Sequence, residues 1–161
     1  MAVNTIGSGN IFTIGSGNTD TSDRILLGGL EIVSGTTISA LVSGATLIYG
    51  VATSDTIANG GSQTVASAGS AVGTTVLSGG SETVSKGGLT TSAQIAGAEY
   101  VYGAATSNVV QSGGTQTVQS GGTALGTLVS GTETVVKGGT TTNADVYGTE
   151  YISVLCDQQH G

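Results

Sequence analysis

Apolar residues return along this chain at two regular slots. The first holds Ile14, Val33, Ile48, Val65, Val84, Val101, Val118, Val135 and Ile152. The second holds Ile25, Val42, Ile57, Val76, Ile95, Val110, Val129 and Val146. The step from first to second is 9 or 11 residues and the step onward is 6 or 8, so the unit recurs every 15 to 19 residues. The alternatives differ by two, which keeps every side chain on its face, because strand side chains alternate with period 2. A short fixed period decides the fold before any single residue does.

The stretch VLSGGSETVSKGG, Val76 to Gly88, shows the unit: an apolar residue, a glycine turn, x-[Glu/Gln]-x-Val, and a second glycine turn. IANGGSQTVASAG from Ile57, VQSGGTQTVQSGG from Val110 and VSGTETVVKGG from Val129 repeat it. Two short strands per repeat are expected, each followed by a glycine turn. Alternation at Val72-x-Thr74-x-Val76 and Leu125-x-Thr127-x-Val129 supports strand. Glycine density and β-branched Thr and Val disfavour helix. At the N-terminus TIGSGN occurs twice, at Thr5 and at Thr13, so Ile6 opens a half-repeat.

A unit this short buries no face alone; it is stable only when successive copies stack. The pattern predicts an all-β protein, a parallel β-solenoid (β-helix) of about eight 15–19-residue turns over residues 1–155. Residues 156–161, CDQQHG, fit no repeat and are expected to be a tail or linker. Val65, Val84, Val101, Val118 and Val135 should form one buried stack, and Val76, Ile95, Val110, Val129 and Val146 another. Turns about 4.8 Å apart make a rod about 40 Å long. Glycines are expected at corners needing positive φ. With no helix or proline-rich segment over Ile6 or Ile152, both ends are expected to offer strand edges for pairing.

A longer period lies on top. Glu31, Glu82 and Glu133, each in Glu-x-Val, are 51 residues apart. Tyr49, then Tyr100 and Tyr102, then Tyr151 mark every third repeat, which suggests a face for self-association.

Composition narrows function. The 29 glycines beside abundant Ser and Thr suggest a low-complexity linker, but the fixed apolar offsets exclude disorder. The net charge of −7 comes with only Arg24, Lys86 and Lys137 as cations, leaving no footprint for nucleic acid or anionic lipid. The single Cys156 excludes an internal disulfide framework. Residues 1–10 have neither a basic nor an apolar signal region, so no secretion signal is expected in this chain. Polar residues and glycines interrupt the most apolar window, 38–52, so no membrane insertion is expected.

VLSGGSETVSKGG and VQSGGTQTVQSGGTALGTLVSG resemble the passenger repeats of AIDA-type self-associating autotransporters of Gram-negative bacteria, over roughly residues 28–152. The resemblance implies a right-handed β-helix displayed on the outer surface or secreted. It implies aggregation, biofilm formation and adhesion to host or bacterial surfaces. It also implies O-heptosylation of Ser and Thr by a cytoplasmic heptosyltransferase, which makes the glycoprotein a substrate. No membrane barrel follows residue 152, so a passenger segment or stand-alone relative is expected.

Several clusters invite chemistry. Glu31, Gln63, Glu82, Glu99, Gln116, Glu133 and Glu150 share one slot, and Glu82/Glu99 or Glu133/Glu150 would sit one strand spacing apart. Carboxylates about 5 Å apart serve retaining glycosidases, and some β-helix proteins cut polysaccharides. The expectation is instead a solvated ladder beside a turn, in a chain that is not an enzyme. Asn18, Asp20, Ser22 and Asp23 supply calcium-type oxygens without the glycine or terminal glutamate of a binding loop, so a polar turn is expected. Cys156 and His160 fall short of a zinc set. Thr64, Thr83, Thr117 and Thr134 suggest an ice-binding ladder, but Leu47, Tyr100 and Tyr151 interrupt it. No metal or cofactor is expected.

The functional expectation is a non-catalytic adhesin rod that pairs with itself end-to-end or laterally. The alternatives are a glycosylation acceptor, with Ser78, Ser112, Ser120 and Ser130 at glycine corners as acceptors, or a spacer or filament scaffold.

Overall fold

A computed structural model describes residues 4–153, all of it strand, turn and corner. Each turn has three sides. In the turn containing Val84 they are Thr75–Val76, Ser81–Val84 and Leu89–Thr91. Stacked turns make sheet A from the two-residue strands, sheet B from the four-residue strands and sheet C from the three-residue strands. Sheets A and B have nine strands each and sheet C has eight, giving eight complete turns and a two-sided ninth. The chain is a right-handed parallel β-solenoid. All pairings are parallel and in register; Val65, Val84 and Val101 follow one another directly.

Sequence dictates which residue points inward. In sheet B the second and fourth residues are buried, and in sheet A the second. Both expected stacks form. Val65, Val84, Val101 and Val118 are buried in sheet B, and Val76, Ile95, Val110 and Val129 in sheet A. Ile6 pairs with Ile25 and is buried, and Thr5–Ile6, Ile11–Ile14 and Thr19–Thr21 supply all three sides, so the expected half-repeat is a full turn. Val146, expected in the second stack, is 40% exposed because the last described turn has no full turn above it.

Sheet C was not expected; two strands per repeat become three. Its middle residue is small and inward: Thr37, Ala52, Ala71, Thr90, Ala105 and Ala124 are buried. Such side chains lack the large apolar signature of a core strand. The alternation read through Val72 and Leu125 is also corrected. Both are exposed ends of sheet C strands. Gly73 and Gly126, with φ of 67° and 64°, turn the chain before Thr74 and Thr127 enter the core.

That corner, from sheet C to sheet A, has one left-handed residue per turn. Glycine fills it twice, but Ser22, Ser39, Ser54, Ser92 and Ser107 adopt φ between 56° and 62° there. The next residue points inward. Asp55 Oδ1 accepts the Ala40 amide at 2.9 Å and Asn108 Oδ1 the Ala93 amide at 3.0 Å. Each ties one turn to the turn before it.

The glycines at the other two corners do two jobs, not one. Gly113 is left-handed at φ 83°. Gly114 has no such φ; a Cβ on it would lie 2.1 Å from the Ile95 carbonyl oxygen of the preceding turn. Close stacking excludes the side chain there.

Candidate functional site

The outward columns come first. In sheet B, Leu47, Thr64, Thr83, Tyr100, Thr117, Thr134 and Tyr151 lie in one register line, so the tyrosines do interrupt the threonine ladder. Tyr100 and Tyr151 on this face, and Tyr49 and Tyr102 at the corner between sheets B and C, are all exposed. Each pair is three turns apart, about 14 Å at one strand spacing per turn. Tyr147, 81% exposed at the corner between sheets A and B, belongs with them but falls outside the motif that singled out the others. Ser78, Ser112 and Ser130 lie exposed on the edge between sheets A and B, and Ser120 on the edge between B and C. The structure thus distributes the four candidate serines over two edges. The third edge, with its left-handed serines, was missed; the Ser-Asp, Ser-Ala and Ser-Asn dipeptides at Ser22, Ser39, Ser54, Ser92 and Ser107 were its signal.

The glutamate slot is a correction. Glu31, Glu82, Glu99 and Glu133 are 0% exposed, and Gln63 and Gln116 are also buried. They form no solvated ladder. The slot lies two residues before the core valine, and period 2 puts both on the same face. Their parity with Val84 or Val135 was the signal; charge led to the opposite expectation. Facing inward, these carboxylates cannot meet a polysaccharide, and no pocket opens among the described residues.

The core therefore has a polar seam. Gln63 Nε2 donates to Glu82 Oε1 at 3.2 Å and Thr90 Oγ1 donates to Glu82 Oε2 at 3.3 Å. Asn108 Nδ2 donates to both Glu99 oxygens, at 2.9 and 3.1 Å, and Gln116 Nε2 donates to Glu99 Oε2. Thr141 Oγ1 donates to Glu133 at 3.3 Å. Apolar stripes flank the seam: Val65 and Val84 pack with Ala52 and Ala71 on one side, and Ile95 and Val110 with Ala93 on the other.

Burial sets the ionisation of these groups. It is the largest cause at each, because removing water disfavours the charged form. Glu31 is pushed up to about 9, with Asp23 adding to the shift. Asp55 rises to about 7 despite the Ala40 amide. Glu82 is raised well above its ordinary value by burial and then by the charge of Glu99. Glu99 reaches about 7, held down by Gln116 and Asn108, and Glu133 about 7, with Glu150 adding to its shift.

Charge is therefore sorted by depth. Asp23, Glu31, Asp55, Glu82, Glu99 and Glu133 are inside. Of the other acids among the described residues, Asp145 is exposed and Asp20 and Glu150 are half-buried, against the exposed Arg24, Lys86 and Lys137. The surface is close to neutral although the chain's formal charge is −7.

The oxygen-rich stretch at Asn18 does not converge. Asp20 takes Asn4 Nδ2 at 2.6 Å and the Thr21 amide at 2.8 Å. Ser22 points outward, while Asp23 is buried and accepts the Asn4 amide. Among the described residues no three His, Cys, Asp or Glu side chains converge on a metal position. Cys156 and His160 lie outside the described residues, as does the expected tail. No described helix is long and apolar enough to cross a membrane.

No protein-family model matches the chain, and no curated protein sequence matches it. Among solved structures it is similar to the crystal structure of a TibA fragment hyper-glycosylated by TibC catalysis, with 31% sequence identity and a TM-score of 0.66. The match covers 92% of this chain and 67% of that one.

Proposed function

The chain belongs to the family of AIDA-type autotransporter passenger repeats, and from that premise we propose that it is a non-catalytic adhesive rod of the bacterial outer surface. It associates with its own copies and accepts O-linked sugar from a heptosyltransferase. The observation that carries this is the sorting of groups by depth: six carboxyl side chains are buried, while Thr, Ser and Tyr columns face out in strict register. A near-neutral surface with columns of Thr and Tyr at one spacing lets two rods align many weak contacts, and multivalency turns these into firm adhesion. Tyrosine suits such a contact, being a large apolar body with a polar tip. Lateral pairing fits these columns better than end-to-end stacking. Host surfaces are a second target for the same columns.

Beads coated with the chain should clump with one another, and beads that stay dispersed would refute self-association. Glycosylation has its own readout. After co-expression with a heptosyltransferase, intact mass should rise in heptose steps, with peptides containing Ser78, Ser112, Ser120 or Ser130 among those modified. An unchanged mass would remove the acceptor role.

A further inference from the structure

We propose that three inward-facing acid pairs, Asp23 with Glu31, Glu82 with Glu99 and Glu133 with the half-buried Glu150, form a pH-sensitive lock along the rod axis. The lock is closed while each pair shares a proton and loosens when the proton is lost. It is a property of the fold and stands whether or not the rod self-associates.

The geometry comes from register. Glu82 and Glu99 are direct partners on adjacent turns, both 0% exposed, and Glu133 and Glu150 are the corresponding partners three turns further on. At the equivalent place beside Glu31 the next turn has Thr46, and the second acid comes from the corner residue Asp23 instead. Asp23 Oδ2 and both Glu31 oxygens are buried without a donor, as is Glu150 Oε1. One proton between two such carboxyls makes one of them a donor and satisfies both.

The surroundings cannot replace that proton. Around Glu82 and Glu99 stand Gln63, Thr90, Asn108 and Gln116, neutral donors from the neighbouring turns and sheet C. Around Glu31 stand the acids Asp23, Asp55 and Asp20 and the neutral hydroxyl of Thr46. Around Glu133 stand Thr141, Glu150 and, further off, Glu99. The three cations are exposed. Neutral donors reach both carboxyls, Gln63 and Thr90 at Glu82 and Asn108 and Gln116 at Glu99, but none brings a positive charge to balance a second carboxylate. Two like charges on adjacent turns in a dry core do not coexist cheaply. The pairs recur every third turn, which gives the 51-residue period a physical role.

The sign follows from linkage. Of these acids Glu31, Glu82, Glu99 and Glu133 have folded values raised above the ordinary carboxylate value, to about 7 at Glu99 and Glu133 and about 9 at Glu31. The folded chain holds protons that the unfolded chain has released. Stability is full below the unfolded value and is lost as pH rises through the folded values.

The test is the urea midpoint across the range from about pH 5 to about pH 9, for the wild type, E82Q and the triple variant E31Q/E82Q/E133Q. Glutamine keeps the shape and a donor of the protonated acid but does not titrate. The wild-type midpoint should fall steadily with pH, E82Q should fall less, and the triple variant least. A flat or rising wild-type curve overturns the proposal, as does an unchanged slope in the triple variant. Should that variant not fold, E82Q decides by comparison with the wild type. Unfolding the wild type in weakly buffered solution near pH 7 should release protons, and no release, or uptake, overturns the lock.

Discussion

At the residue scale, neighbouring glycines separate two physical demands. Gly113→Ala puts a side chain at φ 83°, a strain of about 1–2 kcal/mol. Gly114→Ala places a methyl 2.1 Å from the Ile95 carbonyl oxygen, so two turns must part. Gly114→Ala should therefore be the more damaging in a denaturant melt, and equal effects would contradict the stacking argument. Ser107 sits at φ 56°. Ser107→Gly should leave stability unchanged or raise it by up to about 1 kcal/mol. A clear loss would mean that the hydroxyl itself holds the corner. Val118 is 0% exposed, and Val118→Asp buries an unpaired charge. It should cost several kcal/mol, on the order of 5, and abolish cooperative unfolding across the neighbouring turns. Of these features, the glycines were legible as corners, but Gly114 and the left-handed serines were not. Close approach between turns depends on partners 15 to 19 residues away, and serine gives no hint of positive φ until the corner is built.

At the element scale, the large apolar stacks were legible because β-branched side chains repeat at even spacings. Sheet C was not, because its inward residues are Ala and Thr, too small to stand out in a Ser/Thr-rich chain. The glutamate slot was legible in position and misjudged in direction. Charge suggested solvent, whereas parity with Val84 puts Glu82 inside. Parity wins because a strand cannot turn one residue outward without turning its neighbours, and the acid adapts by keeping its proton. Asn108 joins the seam to the corner: it donates to Glu99 and accepts the Ala93 amide. Asn108→Ala should cost about 3 kcal/mol in urea unfolding, since buried partners are left unmatched. It should also push Glu99 further up, visible as a later carboxyl titration. A neutral effect on both would mean that the seam is not a connected network.

At the scale of the whole molecule, the solenoid places acids on its axis and hydroxyls on its surface. An ordinary domain of this net charge would repel its copies, but outside the buried acids the described residues carry as many cations as acids. Self-association should accordingly change little between low and high salt, because screening has little to act on. A strong salt dependence would point to charge pairing that the described surface does not support. Turn stacking also makes length cheap, since each turn needs only its neighbours, so a rod can present its columns at about 4.8 Å intervals over its full length. The claim that these columns join copies of the chain is tested most directly by sedimentation velocity over rising protein concentration. The sedimentation coefficient should climb with concentration as rods pair. A single monomeric boundary at every concentration, with or without sugar, would contradict it.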